Sequence, residues 1–244
     1  MDIVKTKSFE LAVITRGNPS ATKLVIALPG RLDTKDYACF TSHLEYLAEK
    51  GFYGVAFDPP GTWESPGGAE LFTTTNYIKA VNELITYFGN RSTLLFGHSR
   101  GATVAILAGA ANQSVTGFVA VMPNYGPPTP PPADALKTGI KISYRDVPPG
   151  TTKTKKQKKL ELPVAYFIDG NKYDTVAVLR TCKKPKLLFY GTHDKFTTVE
   201  EAEKVFATVP EPKTVHKLET DHDYRYHPEI IREVNEVVGT FILS

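Results

Sequence analysis

Gly97-His98-Ser99-Arg100-Gly101 is the stretch of this chain best suited to covalent chemistry. An apolar run, Thr93 to Phe96, leads into it, and small and apolar residues from Ala102 to Ala111 lead out. Read as a strand-to-helix turn, it leaves no room for side chains at the two glycine positions, and its strain points the serine hydroxyl outward. The start of the following helix aims amide groups at negative charge developing beside that hydroxyl. The spacing points to acyl transfer through Ser99, and such a serine needs a base and a group that orients the base.

Six histidines compete to be the base: His43, His98, His193, His216, His222 and His227. His43 falls in an early helix and reads as surface or core filler. His216 sits inside a strand, and His98 adjoins the serine and is expected to point back into the fold. His222 lies in the loop beyond the last strand, where it can swing over the top of a sheet. His227 is its rival, although its place before Pro228 suits a helix entry better. For the acid, Lys186 to Tyr190 forms an apolar strand, followed by Gly191 and then Asp194. Asp169 and Asp174 are alternatives in an irregular region. Asp221 and Asp223 flank His222, and adjacent residues rarely orient one another. The expected catalytic set is Ser99, His222 and Asp194.

These residues must be carried by an alternation of strands and helices. Parallel strands are predicted at Lys23–Leu28, Tyr53–Phe57, Thr93–Phe96, Gly117–Met122, Lys186–Tyr190 and Lys213–Leu218, apolar enough to be covered on both faces. Helices are predicted at Lys35–Lys50, Thr74–Phe88, Ala102–Ala111, Val199–Ala207 and Pro228–Phe241, with one or two further strands in Ile3–Thr15. The expected fold class is α/β, with a mostly parallel central sheet and helices on both faces. Residues 1–244 then form a single domain.

Asn124 to Pro185 breaks the rhythm. It carries Pro127, Pro128, Pro130, Pro131 and Pro132, then Pro148-Pro149-Gly150, then Lys153, Lys155, Lys156, Lys158 and Lys159. A long insertion of this kind is expected to be a lid over the strand ends. Solvation places its lysines in water and Leu162, Val164, Tyr166, Phe167 and Ile168 toward the pocket.

The order Ser99, Asp194, His222 on the strand ends of an alternating chain resembles the α/β-hydrolase superfamily, and the insertion resembles the compact lid of its small carboxylic ester hydrolases, feruloyl esterases among them. Ala56-Phe57-Asp58-Pro59-Pro60-Gly61 is similar to the family's strand-end D-x-x-G turn, and Leu28-Pro29-Gly30-Arg31 stands in the place of its oxyanion loop. The resemblance implies an oxyanion hole from the main-chain N–H groups of Arg31 and Arg100. It also implies a serine esterase acting on small to medium carboxylic esters. Peptidase and thioesterase chemistry share the apparatus, and a non-catalytic ligand-binding protein is the rival from another class. Pro29 replaces the family's usual histidine, Trp63 stands where a second glycine often follows Gly61, and Arg100 is bulkier than the residue usual there. Trp63, Tyr166 and Phe167 are the expected pocket residues.

Composition removes other classes. Of 244 residues, 41% are hydrophobic and 23% charged, a globular balance, and the net charge of +3 is too small to imply a nucleic-acid partner. Phosphate-binding G-x-x-x-x-G-K-[ST] and dinucleotide-binding G-x-G-x-x-G patterns are missing. His193, Asp194, Asp221, His222, Asp223 and His227 are better used in a triad than as metal ligands, so no metal or cofactor is expected. Cys39 and Cys182 lack paired spacing, no run approaches a membrane span, and Met1 to Glu10 is charged where a secretory signal is apolar. A cytoplasmic protein without stable membrane association is expected.

Overall fold

Leu24, Ile26 and Leu28 pack into one hydrophobic cluster, while the alternating Val25 and Ala27 pack into another. A strand buried on both faces is the central unit of an α/β layer structure, and the rest of the chain is arranged around it. The computed structural model describes residues 2–125 and 130–243. The expected loop prolines Pro127 and Pro128 lie outside them.

The elements run β1 (Asp2–Lys5), β2 (Glu10–Arg16), β3 (Lys23–Leu28), α1 (Ala38–Glu49), β4 (Phe52–Phe57), α2 (Thr74–Tyr87), β5 (Ser92–His98), α3 (Arg100–Ala111) and β6 (Val115–Val121). They continue with α4 (Ala133–Thr138), β7 (Ile140–Asp146), β8 (Gln157–Pro163), α5 (Val164–Gly170), α6 (Thr175–Thr181), β9 (Lys186–Gly191), α7 (Val199–Phe206), β10 (Lys213–Leu218) and α8 (Pro228–Phe241). Eight strands form one sheet in the order β1-β2-β4-β3-β5-β6-β9-β10. The pairs β1/β2 and β2/β4 are antiparallel and the others parallel. From β3 the chain steps to β4 on one side and then to β5 on the other. The crevice beyond the ends of β3 and β5 is therefore a topological switch point, where ligands bind in open α/β sheets.

Helices α2 and α3 cover one face through Tyr77, Ala80, Leu84, Val104 and Ile106. Helices α1 and α8 cover the other through Phe40, Leu44, Ile231, Val234 and Val238. Helix α1 starts later than the pattern predicts. Thr34 Oγ1 and the Lys35 main-chain N–H both donate to Asp58 Oδ1, at 2.8 and 2.9 Å, holding that stretch as a loop against the end of β4. The Lys35 ammonium sits among Asp36, Asp58 and Glu64, filling the cluster of carboxylates that a cation would otherwise take.

His43 is buried filler with two polar partners: Nδ1 lies 2.6 Å from Asn235 Oδ1 and Nε2 lies 2.8 Å from the Tyr224 hydroxyl. Burial lowers its pKa from 6.5 to about 4, against the opposing hydrogen bond to Asn235. The unfolded chain therefore binds a proton between these values that the folded chain refuses. Stability is fully present above pH 6.5 and falls as the pH drops toward 4, by roughly 3 kcal/mol for this group. Urea unfolding at pH 7.5 and pH 4.5 should show this loss, reduced in His43→Gln. Equal losses in both proteins would remove His43 as the cause.

Between β6 and β9 the inserted segment is more regular than its composition implies. β7 and β8 form an antiparallel hairpin, Ile140 opposite Pro163 and Asp146 opposite Gln157, followed by α5 and α6. Among the described residues, no helix is long and apolar enough to cross a membrane.

Candidate active site

Ser99 joins β5 to α3 with φ 53° and ψ −117°, a strained conformation for a residue with a side chain. The flanking glycines make that turn possible. A Cβ on Gly97 would lie 2.3 Å from the Gly101 carbonyl carbon, and one on Gly101 would lie 1.9 Å from the Leu28 carbonyl oxygen. No larger residue fits either place.

His222 stands in the loop after β10. Its Nε2 is 2.8 Å from Ser99 Oγ, and its Nδ1 is 2.9 Å from Asp194 Oδ2. A carboxylate only accepts, so Nδ1 carries the proton and Nε2 is free to accept from the serine hydroxyl. Asp194, in the turn after β9, is fixed through its other oxygen, which accepts the Phe196 main-chain N–H at 2.8 Å. The Phe196 ring lies edge-on to the imidazole, with centroids 4.6 Å apart. The three sequence-predicted residues thus form one hydrogen-bonded line, as proton removal from Ser99 requires.

The rival residues are used elsewhere. Asp169 accepts from Thr75 Oγ1 and N at 2.7 and 2.8 Å, and Asp174 caps α6 by accepting from Ala177 N at 2.9 Å. His227 precedes α8, and His216 contacts Glu233 at 2.8 Å. His98 turns inward as expected, but it also supports the site. Its Nε2 donates to the His222 carbonyl at 2.9 Å, and its Nδ1 faces Asp33 at 3.8 Å. Burial pushes the Asp33 carboxyl up, yet His98 and Arg145 hold it below its ordinary range.

Ser99 and His222 open into a cavity of about 580 Å³. Arg31 follows β3 directly, across the switch point from Ser99. No described residue accepts a hydrogen bond from the main-chain N–H of Arg31 or of Arg100, so both donors remain available. The loop after β3 is tied to the hairpin: Arg145 on β7 donates to the Arg31 carbonyl at 2.8 and 3.1 Å and pairs with Asp33 at 3.3 Å.

With the strand order, the elbow and the loop sites in place, the sequence profile of the alpha/beta hydrolase fold family matches residues 23–151. The chain belongs to the α/β-hydrolase fold family. Solved structures of this fold cover nearly all of it. Est1E from Butyrivibrio proteoclasticus, determined with ferulic acid bound, superposes with a TM-score of 0.77 at 18% identity over 100% of this chain and 98% of that one. The thioesterase domain from the curacin biosynthetic pathway gives 0.74 at 14% identity over 98% of each chain. A monoacylglycerol lipase from Paleococcus ferrophilus gives 0.73 at 20% identity over 95% of this chain and 99% of that one. At these identities the likeness is one of fold. No curated protein matches the chain.

Within this α/β-hydrolase fold the pocket differs from the one the sequence predicts. Tyr166 does line the cavity, but Trp63 and Phe167 are not among its lining residues. The Trp63 indole N–H donates to the Leu32 carbonyl at 2.8 Å, and the ring sits edge-on to Tyr37 with the Lys158 ammonium 4.8 Å above it. Phe167 packs edge-on to Tyr166 and against the core. Leu162 is fully buried in that core, and Ile168 is 54% exposed instead of facing the pocket. Nor does the whole lysine run face away, because Lys153 and Lys155 line the cavity. Hairpin geometry explains this: the run lies in and after the turn between β7 and β8, and residues of that end line the same cavity as Ser99.

Arg145, Arg225 and Asp146 are site residues that the sequence reading missed. Asp146 Oδ2 lies 3.1 Å from Arg225 Nη2, and Arg225 Nη1 donates to the Gly150 carbonyl at 3.0 Å. This joins the hairpin end to the loop that carries His222. Burial pushes the Asp146 carboxyl up, but its bonds from Tyr226, Gln157, Thr154 and Arg225 outweigh that and hold it at about 2. The carboxylate is ionised throughout the neutral range.

Proposed function

We propose that the protein is a serine hydrolase that cleaves carboxylic esters of small to medium size through an acyl-enzyme on Ser99. The observation that carries this reading is the Asp194–His222–Ser99 line, at 2.9 and 2.8 Å, ending at the mouth of the cavity. Ser99 Oγ attacks the ester carbonyl while His222 Nε2 takes its proton, and Asp194 holds the tautomer and steadies the imidazolium. The Arg31 and Arg100 main-chain N–H groups receive the tetrahedral oxyanion. Each such donor contributes about 3 kcal/mol in comparable sites. His222 then protonates the leaving alcohol. Water, deprotonated by the same imidazole, releases the acid.

The segment 124–185 acts as a lid. Tyr144, Arg145 and Lys153 from its hairpin line the cavity wall opposite the elbow and restrict the water that reaches the acylation step. Cys39 and Cys182, both buried and unpaired, fit a cytoplasmic protein kept in a reducing compartment.

A fluorophosphonate probe tests the central claim. The protein should label at one serine, and Ser99→Ala should abolish the label. An unlabelled but folded protein would refute an activated serine. An ester panel varying acyl length and leaving group, set against peptide and acyl-thioester substrates, then tests the substrate class. Turnover confined to peptides or thioesters would overturn the ester assignment.

A further inference from the structure

The cavity beside Ser99 holds more positive charge than acyl transfer uses. Its carboxylates are already paired: Asp33 with Arg145 at 3.3 Å, and Asp146 and Asp223 with Arg225 at 3.1 and 3.7 Å. Arg31, Arg100, Lys153, Lys155 and Lys195 line the same space, and among the described residues none has a carboxylate within ion-pair distance. The lysines are exposed, and water solvates them. Arg100 is partnered, since its Nε donates to the Tyr166 hydroxyl at 2.8 Å and its Nη1 reaches Thr74 Oγ1 at 3.4 Å.

Arg31 is different. Its Nε is buried without any hydrogen-bond partner, and no described residue accepts from its other guanidinium nitrogens. Burial pulls it below the usual guanidinium range; Tyr166 and Asp33 oppose that shift, and the like charges of Arg145 and Arg100 reinforce it. Arg31 as a whole is half-buried: withdrawing Nε from water without an acceptor is costly, while the Nη nitrogens, which no described residue engages, are left for an acceptor that enters the cavity. Its position fits that use. A Cβ on the preceding Gly30 would lie 3.3 Å from Ser99 Cβ, so the arginine side chain starts one residue from the nucleophile. Arg145, bonded to the Arg31 carbonyl, fixes the main chain from which it extends.

We propose that the Arg31 guanidinium is an anion subsite and that the preferred substrates are esters bearing a carboxylate, which Arg31 holds while Ser99 attacks. A carboxylate matches the planar donor fork with two parallel charge-assisted hydrogen bonds, which a neutral ester cannot form. The proposal rests on the serine-hydrolase reading above and narrows its substrate class. The carboxylate can lie on the acyl or on the alcohol portion, and separate substrate pairs distinguish the two.

The test compares kcat/KM for p-nitrophenyl hemiglutarate against p-nitrophenyl pentanoate, and for the pentanoate ester of glycolic acid against ethyl pentanoate. One anionic ester should be favoured by on the order of tenfold or more, mainly through KM. Arg31→Met should erase that preference, and Arg31→Lys should keep part of it. No preference in either pair, or a preference that survives in Arg31→Met, would overturn the subsite. Calorimetry with glutarate on Ser99→Ala supplies a readout without turnover. Glutarate should bind, and at least tenfold more weakly once Arg31→Met is added. Glutarate binding without turnover of any ester by the unmutated protein would support the subsite while overturning the hydrolase reading. Turnover of neutral esters without glutarate binding would overturn the subsite alone.

Discussion

Ser99→Ala should lower the turnover of p-nitrophenyl acetate by on the order of 10⁶ and leave the fold unchanged. The size of the loss follows from what the hydroxyl does. In the proposed mechanism it is the one atom of the line that bonds to substrate, and without it His222 can act only on water. The oxyanion donors and the cavity remain, so a residual acceleration of about 10³ to 10⁴ over water is expected. The folded state should tolerate the change. Alanine adopts the φ of 53° at no greater cost than serine, and the Nε2 acceptor it leaves behind faces the cavity. Steady-state rates and thermal melts on both proteins check this. A Ser99→Ala protein that melts normally and keeps near-normal turnover would remove the acyl-enzyme mechanism.

How much of this was legible in the sequence depends on how locally each feature is encoded. The elbow is local, because five residues contain both the strain and the glycines that permit it, and the neighbouring apolar runs give β5 and α3. His222 and Asp194 were legible at one remove, since each follows a strand whose end must lie at the same edge of the sheet as Ser99. The hairpin is encoded in the sequence as well. Leu160 and Leu162 alternate with Lys159 and Glu161, and Ile140, Ile142 and Tyr144 alternate with Lys141, Ser143 and Arg145, a period of two that the proline and lysine content obscured. Arg145 and Arg225 were not legible. Their partners Asp33 and Asp146 are distant in sequence, and only the hairpin's fold-back onto the loop after β3 brings them together. Trp63 does not take the pocket position expected of it. Its own donor, satisfied by the Leu32 carbonyl, holds it outside.

Asp194→Asn should cost up to about 10⁴ in turnover, nearly as diagnostic as loss of the serine itself. The carboxylate makes two bonds, one from each oxygen: Oδ2 with His222 Nδ1 at 2.9 Å and Oδ1 with the Phe196 N–H at 2.8 Å. An amide has only one oxygen for two donors. If that oxygen keeps the Phe196 N–H, the amide NH₂ points at His222 and forces the proton onto Nε2, where it blocks transfer from Ser99. If the oxygen keeps His222, the Phe196 N–H meets an NH₂ in a buried turn, which costs about 1 to 3 kcal/mol of stability. The same change elsewhere is the control. Asp169→Asn alters only the contacts with Thr75 and Lys172, and Asp174→Asn retains the oxygen that caps α6. Both should hydrolyse p-nitrophenyl acetate within about threefold of the parent, as expected for changes remote from the reacting atoms. Each protein's kcat, measured beside its melting temperature, separates lost chemistry from lost fold. If Asp169→Asn or Asp174→Asn proved the damaging change while Asp194→Asn retained its activity, the acid of the site would be misassigned, and the orienting hydrogen bond to His222 would have to come from a rearranged lid.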